Sequence, residues 1–142
     1  NKFINMHIPR GGKLDYDECV KSIDMAKEFF IKYFPDFPND KFACHSWLLY
    51  PGNKEFMPEN SNILKFASLY EIIEENEDPE SAYLWLYGKK YKNPELIKTR
   101  KETGNYGHLD GLPQNSSLQK STIDFIKNGG IFGEALGVII KK

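Results

Sequence analysis

Apolar positions along the chain follow two patterns, one typical of a strand and one typical of a helix. The first part of the chain contains one segment of each. Residues 2–8 combine β-branched and aromatic side chains, which predicts a strand that Pro9 ends, because proline has no N–H for a strand ladder. Residues 15–33 instead carry apolar side chains near the helical period of 3.6 residues. Asp15 and Glu18 have the spacing of a capping box, so we expect this helix to begin at Asp15.

The segment "KFACHSWLLY", residues 41–50, is almost continuously apolar. Because it is short, it predicts a buried central strand. Turn-forming residues then fill positions 51–58 and predict a loop, after which Ser61 or Asn62 caps a short helix. A helix separates the first two strands, so we expect them to run parallel through a right-handed crossover.

The middle of the chain predicts a hairpin and a long connection. Residues 70–88 contain two β-like segments on either side of an acidic tip with Pro79, a pattern typical of an antiparallel hairpin. Residues 88–114 are rich in Lys, Gly and Asn, and a connection of this length is usually functional or disordered.

The last part of the chain predicts one more helix and one more strand. Ser116 or Ser117 caps the helix, which ends at Gly129 and Gly130. Residues 131–142 predict a strand whose glycines indicate a bulge or a close approach of another backbone. The order of elements predicts one domain, residues 1–142, of the mixed α/β (α+β) class, with a sheet of about five strands flanked by helices.

Composition narrows the function classes. The 19 Lys and Arg residues nearly balance the 20 Asp and Glu residues, so the chain lacks the basic excess that nucleic acid binding requires. No apolar segment approaches the roughly 20 residues that span a bilayer, and no signal segment opens the chain. We therefore expect a cytoplasmic protein with no nucleic acid or membrane partner. Asn1 stands where a start methionine would, so we expect a piece of a longer protein.

The two cysteines do not predict a metal site. Neither Cys19 nor Cys44 has a second Cys or a His at zinc-ligand spacing. Cys44 and His45 are adjacent on a predicted strand, where neighbouring side chains point to opposite faces and cannot share one ion.

The segment "HIPRGGKLD" joins a strand end, a glycine turn and a helix start. This arrangement presents backbone N–H groups and the positive end of a helix to an anion, and Arg10 and Lys13 would add charge. The alternative is a tight glycine turn with two solvated cations, and both interpretations stay open here because a lone glycine pair is weak evidence.

His45 is the first candidate for proton transfer. Strand alternation places it with Trp47 on one face and Ser46 on the other, so His45 and Ser46 cannot form a nucleophilic pair. A hydrolase that uses Ser46 with a distant histidine is a minor alternative. His45 is either a general base or a hydrogen-bonded core histidine. His7 is a secondary candidate, and His108 a loop contact.

Three motifs in a fixed order carry a family resemblance. "HIPRGGKL", "HSWLL" and "ENSNI", followed by a closing "GEALGVII", resemble the GNAT-like C-terminal domain of bacterial acyltransferase-domain proteins, and the resemblance covers nearly the whole chain. It implies an N-acyltransferase of the GNAT superfamily that uses acetyl-CoA or another acyl-CoA and no metal. It also implies a small-molecule or peptide amine as acceptor, and an N-terminal domain of the same protein as partner.

The resemblance also implies roles for individual residues. Arg10, Gly11, Gly12 and Lys13 would hold the pyrophosphate of CoA, although Lys13 stands where the superfamily turn has its first glycine. The second strand would splay from the first to admit the pantetheine arm, and Asn62, otherwise a helix-cap residue, would contact the cofactor. His45 would act as base, with backbone N–H groups at the end of the first strand stabilising the oxyanion. The alternative is a catalytically silent GNAT-like binding or assembly module.

Overall fold

The computed structural model describes residues 2–9, 11–91, 102–103 and 111–140. Within these ranges the chain forms four strands and four α-helices. In chain order they are β1 (Ile4–Asn5), α1 (Tyr16–Tyr33), β2 (Lys41–Ser46), α2 (Asn62–Ala67), β3 (Glu71–Asn76), α3 (Glu80–Tyr87), α4 (Ser117–Lys127) and β4 (Glu134–Ile140). Of these helices, none has the length and apolar character needed to cross a membrane.

The four strands form one mixed sheet in the order β1-β2-β4-β3. β1 runs parallel to β2, as the intervening helix predicted, whereas β4 runs antiparallel to both of its neighbours. The last strand of the chain therefore lies in the interior of the sheet, inserted between β2 and β3. This insertion gives β2 a partner on each edge and makes it a central strand, as predicted from its apolar sequence.

The predicted helix caps are present. The Asp15 carboxylate accepts a hydrogen bond from the Glu18 N–H at 3.1 Å, and Ser61 Oγ accepts one from the Ile63 N–H at 3.2 Å. Ser116 Oγ caps α4 in the same way. These side chains satisfy amide groups that the first turn of a helix leaves without a partner.

The predicted hairpin at residues 70–88 is wrong in its second half, which forms α3. The Asp78 carboxylate accepts a hydrogen bond from the Glu80 N–H at 3.2 Å and so starts a helix directly after Pro79. The buried side chains of α3 then recur four residues apart, in the pairs Ala82 and Leu86, and Tyr83 and Tyr87. The described residues consequently form a four-stranded sheet, where about five strands were expected.

The predicted strand over residues 41–50 is too long, because β2 ends at Ser46. Ser46 Oγ accepts a hydrogen bond from the Leu48 N–H at 3.1 Å and caps a 3-10 turn, Trp47–Leu49. Trp47 therefore leaves the strand and is buried, with only 2% of its surface exposed. The alternation argument that placed Trp47 beside His45 fails at this point, because alternation holds only within a strand.

Gly137 in β4 makes room for an aromatic side chain that crosses the sheet. A Cβ atom on Gly137 would lie 2.8 Å from Tyr70 Cβ and 3.0 Å from Leu49 Cδ1. From there the Tyr70 side chain passes over Cys44, the partner of Gly137 in β2, and its hydroxyl group bonds to Met6 Sδ at 3.1 Å. The close approach of another backbone that was predicted for a glycine of residues 131–142 occurs at Gly133, where an added Cβ atom would lie 2.5 Å from the Asn76 carbonyl oxygen, whereas the close neighbours of Gly137 are side chains.

We expect Gly137→Ala to lower the free energy of unfolding by about 1–3 kcal/mol, because the added methyl group overpacks the contact with Tyr70 and Leu49. Urea denaturation followed by circular dichroism measures the change. Gly111→Ala is the matched control, since a Cβ atom there meets nothing within 4 Å. Equal stability of the two variants would show that Tyr70 does not pack against Gly137.

Candidate functional site

The two parallel strands separate soon after they pair. The last hydrogen bond between them runs from the Met6 N–H to the Ala43 C=O at 2.8 Å. In a parallel ladder the next bonds would join the His45 N–H to the Met6 C=O and the Ile8 N–H to the His45 C=O. Among the described residues neither bond is formed. We call the opening between residues 6–8 and residues 44–46 the fork.

The opposite edge of β2 explains why the fork stays open. β2 pairs with β4 along its whole length, from Lys41 opposite Ile140 to Ser46 opposite Ala135. The strand is therefore held in place beyond the point where β1 leaves it. The polar backbone groups of His45 on the β1 side consequently lie along an open strand edge, which is a surface that an extended ligand can pair with.

His45 lies on one side of the fork. Its side chain is 57% exposed, and Nε2 lies 3.5 Å from Oε2 of Glu134, which is 13% exposed. Ser81 Oγ in α3 donates a hydrogen bond to the other oxygen of that carboxylate. His45 and Glu134 occupy diagonal positions on one face of the antiparallel pair, which brings their side chains together. The alternative of a core histidine is wrong, because most of the imidazole is in contact with solvent.

Tyr70 lies on the other face of the sheet at the same fork. Its hydroxyl group bonds to Met6, the last residue of the first strand to pair, and lies beside the thiol of Cys44. Burial is the main cause that raises the pKa of Tyr70 well above its usual value, and the adjacent Cys44 adds to it. The phenol therefore stays neutral and can donate a hydrogen bond, but it gives up its proton less readily than an exposed tyrosine. Tyr70 was not predicted as a site residue, because nothing in the sequence pattern distinguishes it from the other seven of the eight tyrosines.

The glycine turn forms where it was predicted. The Gly12 N–H donates to the Pro9 C=O at 3.0 Å, and Gly11 has a φ of 80°, a conformation that favours glycine. Lys13 is exposed at the end of the turn. Because the Gly12 N–H is used inside the turn, an anion would be bound by other groups there, including the Lys13 ammonium. Arg10 lies outside the described residues.

Asn62 lies beside the start of α1. It is the first residue of α2, and Ser61 rather than Asn62 provides the cap. A cleft of about 350 Å³, here called the α1–α2 cleft, separates the first turns of the two helices. Its lining residues are Asp15, Tyr16, Asp17, Asn62 and Lys65. The fold thus brings Asn62 to the segment that directly follows the glycine turn, whereas His45 lies at the fork.

The remaining candidates have simpler surroundings. His7 is exposed, and its Nε2 lies 3.2 Å from Asn5 Nδ2. Ser46 Oγ caps a 3-10 turn, which gives it a structural role. His108 and most of the predicted long connection lie outside the described residues. Within the described ranges no group of three or more His, Cys, Asp or Glu residues is placed to hold a metal ion.

Comparisons with known proteins identify a family and related folds. The family model of the GNAT-like C-terminal domain matches residues 1–139. Among solved structures, an acyltransferase in complex with decanoyl-CoA is 26% identical with a TM-score of 0.73, and an acyltransferase mutant in complex with octanoyl-CoA is 26% identical with a TM-score of 0.76. Each alignment covers 97% of this chain and 40% of the other.

A further structure of an acyltransferase, in complex with CoA and 10C-teicoplanin, is 26% identical with a TM-score of 0.70. The alignment covers 99% of this chain and 41% of that one. Our chain therefore spans about two-fifths of these neighbours. Among curated proteins, no sequence matches this chain.

The Cys44 thiol predicts a pH dependence of stability. Burial raises the pKa of Cys44 from 9.0 to about 11. The unfolded chain loses this proton near pH 9, whereas the folded protein keeps it. The free energy of unfolding should therefore be unaffected below pH 9 and fall as the pH rises from 9 towards 11, by about 1–2 kcal/mol from this group.

Urea denaturation at intervals across this pH range measures the slope, which should be shallower in Cys44→Ala. Cys19→Ala is the comparison: burial also raises the pKa of the half-buried Cys19 thiol, but the slope should change less than in Cys44→Ala. A slope that is the same in wild type and Cys44→Ala would contradict the assignment.

Proposed function

Because this chain belongs to the family of GNAT-like C-terminal domains, we propose that the protein transfers an acyl group from acyl-CoA to an amine acceptor. The observation that carries the proposal is the fork between β1 and β2, with His45 on one face and the Tyr70 hydroxyl group on the other. The ligands of the structural neighbours support the choice of acyl-CoA.

In this proposal the pantetheine arm lies in the fork. Its amide groups pair with the free edge of β2 at His45, as an added strand pairs with a sheet edge. Lys13 and the glycine turn at Gly11 and Gly12, with Arg10 beside it, meet the pyrophosphate. Asn62 contacts the cofactor near the start of α1.

The chemical step uses one side chain on each face of the sheet. The acceptor nitrogen attacks the thioester carbonyl carbon, and His45 accepts the proton that this nitrogen loses. The backbone N–H of Ile8, at the end of the first strand, stabilises the negative oxygen of the tetrahedral intermediate. The carbon–sulfur bond then breaks, and the Tyr70 hydroxyl group donates a hydrogen bond to the leaving thiolate. The thiolate takes a proton from solvent, and the His45 imidazolium returns one to solvent.

The neighbours support a choice of donor and of acceptor. Decanoyl-CoA and octanoyl-CoA are bound by the related acyltransferases, so medium-chain acyl-CoA joins acetyl-CoA as a proposed donor. The neighbour in complex with CoA and 10C-teicoplanin supports a small-molecule acceptor.

The face of the sheet that carries His45 also suggests where a partner domain packs. Ile140 and Ile73 are exposed there, at 57% and 56%. In the proposal an N-terminal domain of the same protein covers this face and closes the acceptor site beside His45. The smaller length of this chain relative to its neighbours supports this arrangement.

We expect His45→Ala to lower kcat by about 10²-fold or more, because the attacking amine loses its proton acceptor. The assay follows release of the CoA thiol from octanoyl-CoA with a panel of small-molecule amines and amine-bearing peptides. Lys120→Ala, which changes an exposed residue of α4, is the control and should leave kcat unchanged.

Two results would contradict the proposal. If titration calorimetry detects no heat with acetyl-CoA and octanoyl-CoA at millimolar concentration, the proposed use of acyl-CoA is wrong. Binding of octanoyl-CoA with an activity that is the same in wild type and His45→Ala would favour the alternative of a catalytically silent module.

We expect Tyr70→Phe to lower kcat by about tenfold or more, with little change in the KM for octanoyl-CoA, because the leaving thiolate loses a hydrogen-bond donor. The same steady-state assay measures both constants, and urea denaturation checks that the variant remains folded. A higher KM for octanoyl-CoA with an unchanged kcat would instead show that Tyr70 contributes only to binding of octanoyl-CoA.

A further inference from the structure

The exposed side of α1 carries a cluster of large apolar side chains. Of the eight large apolar residues that are exposed in the described part of the chain, six lie between positions 16 and 34. Four of these form what we call the α1 patch: Met25, Phe29, Tyr33 and Phe34. The centroid of the Phe29 ring lies 4.9 Å from that of Tyr33 and 6.0 Å from that of Phe34. An exposed apolar patch that is continuous in this way marks an interaction surface.

The α1 patch faces away from the side of the sheet that carries His45. Ile23 is the buried residue of α1, and it shares the hydrophobic core with Phe42 and Tyr70, on the face of the sheet opposite His45. At 3.6 residues per turn, Met25 lies about 200° around the helix from Ile23, on the side away from that core. The N-terminal domain of the proposed function covers the His45 face, so the α1 patch requires a different occupant.

The charged residues around Met25 are arranged symmetrically by position and oppositely by sign. Glu18 and Lys32 lie seven positions before and after Met25, so the three side chains follow one line along the helix. Lys21 and Glu28 lie four positions before and three positions after Met25, along one side of that line. All four charged side chains are exposed, and among the described residues none of them takes part in an ion pair.

We propose that the α1 patch binds the α1 patch of a second copy of this chain, with the two helices antiparallel about a two-fold axis near Met25. In this arrangement Glu18 meets the partner's Lys32, and Lys21 meets the partner's Glu28. The exposed side chains of Met25 and Phe29 are covered between the two helices. A parallel arrangement would bring like charges together at both ends of the patch, so the charges select the antiparallel one.

The same charges favour a second copy over other occupants. A two-fold contact uses one surface twice, so it requires a surface that is complementary to itself, as this one is. The four flanking charges sum to zero, whereas a helix that lies on an anionic membrane has an excess of Lys and Arg on its polar face. A helix of 18 residues is about 27 Å long, which limits the contact area, and we therefore expect a weak, concentration-dependent dimer.

Sedimentation equilibrium from micromolar to millimolar protein concentration tests the proposal. We expect the weight-average mass of this chain to rise towards that of a dimer over this range. Met25→Glu should abolish the rise, because it brings two carboxylates together in an apolar contact at the two-fold axis. Ile31→Glu is the matched control, since it introduces the same charge at another exposed apolar residue of α1, outside the patch, and should dimerise like the wild type. Urea denaturation checks that both variants remain folded.

Exchange of charges tests the direction of the two helices. Lys21→Glu and Glu28→Lys should each raise the Kd of the dimer by about fivefold or more, because like charges then face each other at two symmetric places. The double variant with both substitutions restores opposite charges in each pair. Its Kd should therefore return to that of the wild type.

Several results would overturn the proposal. One is a wild-type chain that stays monomeric at millimolar concentration. Another is loss of the dimer in Ile31→Glu as well as in Met25→Glu, or its persistence in both. A double charge variant as weak as the single ones would exclude the antiparallel contact. A parent protein that is monomeric when this chain alone is dimeric would assign the α1 patch to another domain of that protein. None of these measurements involves acyl-CoA, so each leaves the proposed function unaffected.

Discussion

The antiparallel ladder between β2 and β4 is the interaction on which the rest of this structure depends. It pairs β2 from Lys41 to Ser46, whereas β1 leaves the same strand after Ala43. Because β1 pairs with only part of β2, pairing with β1 alone would not keep β2 extended as far as Ser46. A single pair of short strands is only marginally stable, so the full ladder with β4 is needed. The ladder thus keeps the edge of β2 straight and open at the fork.

The same ladder places the two polar groups at the fork. Glu134 at the start of β4 faces His45 on one side of the sheet, and Gly137 three residues later leaves room for Tyr70 on the other. These two environments differ in their exposure to solvent. The His45 imidazole is mostly solvent-exposed, so its contact with Glu134 contributes little to stability and serves to position the ring. Tyr70 and Cys44 are buried, and desolvation keeps both neutral.

The proposed cofactor route follows the first crossover of the sheet. The chain leaves β1, turns at Gly11, and enters α1 at the α1–α2 cleft before it returns as β2. A ligand that extends from the cleft to the fork would therefore follow the outside of one β-α-β unit. Its polar end would meet exposed charges, and its thioester would meet the side chains of the fork.

The local elements of this fold are determined by the sequence, because their causes lie within a few residues. The caps at Asp15, Ser61 and Ser116 and the glycine turn each depend on contacts at most four positions apart, and all were predictable. The end of β2 at Ser46 and the helix after Pro79 were not. Their apolar sequences fit more than one backbone conformation, and a side-chain cap at Ser46 and at Asp78 selects one.

The candidate site was only partly predictable. Sequence and resemblance identified His45 and Asn62 as residues of interest, but Tyr70 and Glu134 became visible only when the chain was folded. Tyr70 meets Met6 across 64 positions, and Ser81 meets Glu134 across 53. Such contacts depend on the insertion of β4 into the sheet. Periodicity and capping report local preferences, whereas this insertion depends on which distant surfaces bury each other, and only the tertiary structure decides that.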